Sequence, residues 1–119
     1  MSLREEQSAF AKDVQKLLEF IHGLGFDVTF GEVLRTEEQQ ALYISQGKSK
    51  TSNSMHLKKC AIDLNIFRDG ILISGKDLRE FGIYWQSLNE KNRWGGSWRG
   101  LIDSGKSTFV DEPHYERQV

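Results

Sequence analysis

The chain has a single cysteine, Cys60, so it can close no internal disulfide and gives no sign of an oxidising compartment. It has no surplus of charge either. Sixteen Lys and Arg against 17 Asp and Glu leave a formal net charge of −1, which offers no overall electrostatic pull toward nucleic acid or an anionic membrane. No apolar run approaches the ~18 residues that a membrane-spanning helix requires. The N-terminus opens with Ser, Arg and two Glu rather than with a basic stretch and an apolar block. These absences read as a protein made and kept in the cytoplasm unless something else releases it, with no nucleic-acid partner and no stable membrane association. Repeats, low-complexity tracts and linkers are also missing. One domain over residues 1–119 is the economical reading, and a monomer is the expected state.

Bulk for a core is present. Seven Phe, three Trp and three Tyr accompany an ordinary balance of 38% hydrophobic and 28% charged residues. Ser2 and Glu5 have capping-box spacing ahead of Phe10, Val14, Leu17, Leu18, Ile21 and Leu24, which recur at helical intervals, and Gly25 is placed to stop the helix. Phe26, Val28 and Phe30 alternate with Asp27, Thr29 and Gly31, predicting a half-buried strand to about Arg35. Thr36-Glu37-Glu38-Gln39 opens a second, short helix through Ala41, Leu42 and Ile44, ending at Gly47. Lys48 to Asn53 reads as a loop. Ala61–Phe67 and Ile71–Ile73 flank Asp69-Gly70, a hairpin signal. Leu78, Phe81, Trp85 and Leu88 mark a third helix, and short strands follow, interrupted by Gly95-Gly96 and by a loop near Gly105. This order predicts an α+β fold, a small and mainly antiparallel sheet flanked by helices.

The chemistry-bearing residues sit late in the chain. His56 and Asp63 lie seven apart in Ser54-Met55-His56-Leu57-Lys58-Lys59-Cys60-Ala61-Ile62-Asp63, and His114 follows in Asp111-Glu112-Pro113-His114-Tyr115-Glu116. Two imidazoles and one carboxylate can hold zinc while leaving a fourth position open, the composition of a catalytic site. Asp111, three residues before His114, supplies a spare carboxylate for proton transfer. For His56 and Asp63 to share an ion their ligand atoms must approach to roughly 3–4 Å. Seven residues of strand span about 23 Å and seven of helix roughly 10 Å, so neither element alone suffices. The chain must turn between them, and Lys58-Lys59 is the polar place for it. On a strand, His114 and Glu116 share a face, so Glu116 can orient His114 through its other ring nitrogen. The turn that Pro113 imposes can bring Asp111 back over the metal. Bland roles stand beside these: Asp63 as a surface charge, Arg35 as an ordinary arginine ahead of a helix, Ser54 as a turn residue, Cys60 as a buried small side chain or fourth ligand. Trp94, Trp98 and Tyr115 are candidates for a cleft or, more commonly, for core.

Ser54-x-His56-x6-Asp63 and Asp111-x-x-His114-x-Glu116 together resemble the paired motifs of the M15 zinc peptidases. Gly31-Glu32-Val33-Leu34-Arg35-Thr36 is similar to that family's arginine-bearing segment, and Trp94-Gly95-Gly96-Ser97-Trp98 to its aromatic-Gly-Gly-x-Trp stretch. The resemblance runs from about Phe30 to the C-terminus. It implies an M15/hedgehog-like peptidase fold with one Zn2+ site on the sheet, held by His56, Asp63 and His114. Asp111 becomes the catalytic acid/base. Arg35 is implied to bind a substrate carbonyl or carboxylate or to steady the transition state, and Ser54 to hydrogen-bond near the substrate. Two positions depart from the pattern: Lys59 stands where many relatives have glycine, and Ser97 where Asp or Asn is frequent. The implied partner is the stem peptide of peptidoglycan. The branch favoured is the phage or prophage endolysin type that cuts L-Ala–D-Glu, held in the cytoplasm until release to the wall. The alternatives are a D-alanyl-D-alanine carboxypeptidase or dipeptidase, and a non-catalytic zinc-containing module that binds wall peptides.

Overall fold

Ser2 starts the first helix through reciprocal bonds: its Oγ accepts from the Glu5 amide, and the Glu5 carboxylate accepts from the Ser2 amide, each at 3.2 Å. The computed structural model describes residues 1–47, 54–97 and 111–119. Helix α1 spans Leu3–Gly23, and Gly25 follows in the left-handed region at φ 85°. Its buried apolar positions are Phe10, Leu17 and Ile21, with Val14 and Leu18 partly covered. Leu24 lies beyond the last turn and is exposed, at the edge of that stripe.

Among the described residues, five strands form one sheet of order β1-β2-β5-β4, with β3 paired to β2. β1 is Asp27–Phe30, β2 Ala61–Arg68, β3 Ile71–Leu72, β4 Asn92–Trp94 and β5 His114–Arg117. All pairings are antiparallel, and the β2–β3 hairpin closes through Asp69-Gly70, both at positive φ. The fold is therefore α+β, as the element order predicts. Helix α2 (Glu37–Ser45) follows β1, and α3 (Arg79–Leu88) follows a 3-10 turn at Gly75–Leu78. No helix among the described residues is long and apolar enough to cross a membrane.

β2 divides the molecule. Ile62, Leu64 and Ile66 point into the core, while Asp63, Asn65 and Phe67 alternate to the other face. Against the inner face pack Phe10, Leu17 and Ile21 of α1, Leu78, and Phe81 and Trp85 of α3. Trp85 is fully buried between the edges of Phe10 and Tyr115, at centroid distances of 5.6 and 6.1 Å. Its indole N–H donates to the Arg93 and Glu116 carbonyls at 3.1 and 3.0 Å, so α3 is fastened to β4 and β5 together. Trp94 and Tyr115 are core residues rather than the lining of an open cleft. Trp98 and the expected loops at Lys48–Asn53 and near Gly105 lie outside the described residues.

One expectation is corrected. The first strand ends at Phe30, not near Arg35, and Phe30 is 62% exposed. There the chain closes over Asp63: a Cβ on Gly31 would stand 3.0 Å from that of Asp63, and the Gly31 amide donates to the Asp63 carbonyl at 2.7 Å. In α2, Leu42 and Ile44 are exposed and the buried residue is Gln40. The helix is seated by polar contacts to Arg35 instead of by an apolar stripe.

The inner face also holds charges that periodicity does not announce. Arg117 of β5 donates to Glu6 of α1 at 2.8 Å, Lys91 reaches the other Glu6 oxygen at 3.3 Å, and all but Lys91 are buried. The Arg117 bond holds the Glu6 carboxyl below its ordinary value, against the opposing effect of burial. The folded chain therefore binds fewer protons at Glu6 than the unfolded chain in acid. This contribution to stability is complete above the ordinary value of 4.5 and is lost as pH falls through the depressed folded value. Glu6→Gln should lower stability at pH 7 and flatten its decline below about pH 4.5, as read by denaturant melts at pH 7, 5 and 4. An unchanged acid slope would remove Glu6 from that role.

Candidate metal centre and its surroundings

Register places the first two donors. Asp63 of β2 is the direct cross-strand partner of His114 of β5, so their side chains leave the sheet side by side on the face opposite the core. The third arrives from the turn before β2. Ser54 caps a 3-10 turn over Met55–Lys58, its Oγ accepting from the His56 amide at 3.3 Å. Lys59 then takes the left-handed conformation at φ 56°, with its amide bonded to the His56 carbonyl and the Cys60 amide to the Met55 carbonyl. The chain thus turns at Lys59, as the separation of His56 from Asp63 requires, although a lysine there meets a steric cost that glycine avoids.

The donor atoms converge. His56 Nε2 is 3.3 Å and His114 Nδ1 3.5 Å from Asp63 Oδ1, and the two ring nitrogens are 3.2 Å apart. Ligand atoms on a tetrahedral ion with bonds of about 2.0–2.1 Å stand roughly 3.3–3.4 Å from each other. The other ring nitrogens are both engaged: His56 Nδ1 with the Val33 carbonyl at 2.9 Å, His114 Nε2 with Glu116 Oε1 at 2.7 Å. A carbonyl oxygen only accepts, so His56 carries its proton on Nδ1 and turns the Nε2 lone pair inward. Glu116 fixes His114 likewise, and Gln118 donates to the other Glu116 oxygen at 2.8 Å. Among the described residues, Asp63 Oδ1 is itself buried without a hydrogen-bond partner. Lone pairs and a carboxylate oxygen aimed at one buried point call for a cation, and this donor set fits a divalent ion. Cys60 is fully buried beside Met55 and Ala61 and lies outside this group, and His22 is a surface residue of α1.

Without an ion, protons answer the same demand. Burial alone lowers the affinity of His114 for a proton, but the carboxylates of Asp63 and Glu116 on either side of the ring hold its pKa up at about 9. Burial works against ionisation of Asp63 too, yet the two imidazoles keep its carboxyl far below the ordinary range. Burial is the largest influence on Glu116 and works to raise it, but the bonds from His114 and Gln118 and the nearby charges of His114 and Arg93 together leave its carboxyl lowered.

Asp111 is brought in by a tight turn. The His114 amide donates to the Asp111 carbonyl at 3.1 Å, and Glu112 and Pro113 form the bend between. Three further bonds pin this turn: Asp111 amide to Gly95 carbonyl, Trp94 indole to Glu112 carbonyl, and Leu64 amide to Pro113 carbonyl. Gly95 permits the approach, since a Cβ there would meet the Asp111 carbonyl oxygen at 2.0 Å and the His114 Cβ at 3.1 Å. The half-buried Asp111 carboxyl is raised above its ordinary pKa by desolvation, with Asp63 adding to the rise and the nearby cations opposing it.

Arg35 sits on the other side of the His56 turn, its amide donating to the His56 carbonyl at 3.2 Å. Its guanidinium contacts Glu32, Gln40 and Ser54 and lies over the ring of Tyr43. Periodicity singled out none of Glu32, Gln40 and Tyr43. The available signals were local: Glu32 stands three before Arg35, and Gln40 and Tyr43 lie three apart on α2.

Two substitutions test the geometry. His114→Ala should abolish stoichiometric binding of a divalent metal in titration calorimetry, and full occupancy would remove His114 from the donor set. Gly95→Ala should displace the Asp111 turn and cost about 1–3 kcal/mol of stability through overpacking. A variant as stable as the parent would show that the close approach is not needed.

No family model matches the chain. Among curated proteins, the L-alanyl-D-glutamate peptidase of Listeria phage A118 is 32% identical over 111 residues, covering 86% of this chain. The chain spans about a third of that relative's length, 34%. Among solved structures, an L-Ala D-Glu endopeptidase of Serratia marcescens superposes with a TM-score of 0.65 at 20% identity, covering 97% of this chain and 85% of that one. The second likeness speaks for the fold, and the first for kinship through sequence. The paired motifs thus fold onto one His–Asp–His cluster in a chain similar in sequence to that phage peptidase and in fold to the Serratia endopeptidase.

Proposed function

We propose that the chain is a zinc-dependent peptidase, one domain over residues 1–119, that cuts the L-Ala–D-Glu bond of the peptidoglycan stem peptide. The observation that carries this reading is the convergence of His56 Nε2, Asp63 Oδ1 and His114 Nδ1 with an orphaned buried oxygen among them. The kinship with a phage L-alanyl-D-glutamate peptidase supports the choice of bond. His56, Asp63 and His114 would hold Zn2+, which when bound supplies Lewis-acid polarisation of the scissile carbonyl and lowers the pKa of water. Val33 and Glu116 keep the two imidazoles in the tautomers this requires. Asp111, whose proton affinity is raised by burial, accepts the proton of the attacking water and returns it to the departing amine nitrogen. Arg35 donates to an oxygen of the bound peptide, and Ser54 steadies both Arg35 and the His56 turn. The endolysin-like reading carries with it a monomer held in the cytoplasm until released to the wall.

Digestion of purified peptidoglycan, with and without a chelator, tests the reading. New D-glutamate amino termini that vanish with chelator are expected. Released D-alanine would move the assignment to a carboxypeptidase, and a zinc-loaded chain that exposes no new ends would be a binding module. Asp111→Asn should keep its zinc and lose at least about 10²-fold in turnover, measured with metal content on the same sample. Unchanged turnover would remove Asp111 from the mechanism.

A further inference from the structure

The contacts of Arg35 say which of its nitrogens a substrate can use. A guanidinium carries five N–H groups. The Nε proton goes to Glu32 Oε1, and the two on Nη1 are directed at Gln40 Oε1, 2.7 Å away, and Ser54 Oγ, 3.3 Å away. Glu32 is held in turn by the Tyr43 hydroxyl, which donates to its other oxygen at 3.0 Å. The Tyr43 ring lies under the guanidinium, 4.7 Å from Cζ to the centroid, so one residue braces both partners. The side chain is nonetheless not sealed, at 11% exposure. Among the described residues no hydrogen bond engages Nη2.

That pattern closes both ways in which arginine grips a carboxylate. The side-on fork uses Nε with Nη2, and Glu32 occupies Nε. The end-on fork uses Nη1 with Nη2, and Gln40 and Ser54 occupy Nη1. We infer that Glu32, braced by Tyr43, is a positioning residue that leaves Arg35 only Nη2 to offer, matching a single acceptor oxygen such as a peptide carbonyl rather than the paired oxygens of a free carboxylate. The arrangement also removes rotamer freedom of Arg35 before the substrate arrives, so less entropy is lost on binding. It favours substrates cut within the chain over substrates held by a free C-terminus. The inference rests on the peptidase reading for its kinetic consequence, but not for its geometry.

The geometric arm uses no substrate. In the zinc-loaded protein, the Arg35 Nε–Hε resonance should be shifted downfield and slow to exchange, and Glu32→Ala should abolish both features. An unchanged resonance overturns the clamp. The kinetic arm uses a stem peptide with an internal L-Ala–D-Glu bond. Glu32→Ala should lower kcat/KM by roughly tenfold to a hundredfold with zinc content unchanged. Glu32→Gln, which keeps an acceptor, should recover part of the loss. In an Arg35→Ala background, Glu32→Ala should add less than about twofold. A wild-type rate in Glu32→Ala, or an equal loss in the Arg35→Ala background, overturns the assignment of Glu32 as acting through Arg35. If the parent protein cuts no wall peptide, the peptidase reading fails, and the Nε–Hε resonance alone decides the clamp.

Discussion

Three electron-rich atoms aimed at one buried point are the arrangement on which the rest of this molecule depends. His56 Nε2, Asp63 Oδ1 and His114 Nδ1 stand 3.2–3.5 Å apart with their outer atoms already committed to Val33 and Glu116. Such a cluster repels itself unless positive charge is shared among its atoms, and the Asp63 and Glu116 carboxylates raise the pKa of His114 accordingly. Something else must therefore hold it together. That restraint comes from the backbone: the Asp63–His114 register between β2 and β5, and the capped turn that returns His56.

The same strands meet both demands because side chains alternate. On β2 the odd residue Asp63 serves the site while Ile62, Leu64 and Ile66 serve the core. On β5 His114 and Glu116 face the site while Tyr115 packs on Trp85 and Arg117 bonds Glu6. A slip of one residue would exchange the faces and lose core and cluster at once, so burial of the apolar set enforces the donor geometry. The Trp85 indole bonds to Arg93 and Glu116 carry that restraint to α3.

Lys59 shows how a local cost is absorbed. Glycine takes the left-handed conformation freely, whereas it costs a side-chain-bearing residue roughly 1–2 kcal/mol. Two backbone bonds, Lys59 to His56 and Cys60 to Met55, nevertheless close the turn. Around Arg35 the economy is different. Polar groups drawn from the segment before α2 and from α2 itself fix one guanidinium, and the apolar residues Leu42 and Ile44 are left facing outward.

The sequence by itself determined the three helices, the caps of α1 and α2, the β2–β3 hairpin and the identity of the donor residues. Those signals are local: capping spacing, alternation, a two-residue turn, and side chains whose chemistry suits a metal. Tertiary structure decided which atoms meet. Spacing required a turn between His56 and Asp63 without showing it, and no local rule pairs Asp63 with His114 fifty-one residues on. It also decided that Trp94 and Tyr115 are core, that Phe30 is exposed and its strand short, and that Glu6 and Arg117 pair inside. Cross-strand register, close approaches such as Gly95 against Asp111, and the contact of Ser54 with Arg35 arise only when distant segments are packed. Each rests on contacts whose free energy depends on the whole sheet and its helices, and such contacts leave no periodic trace in the sequence.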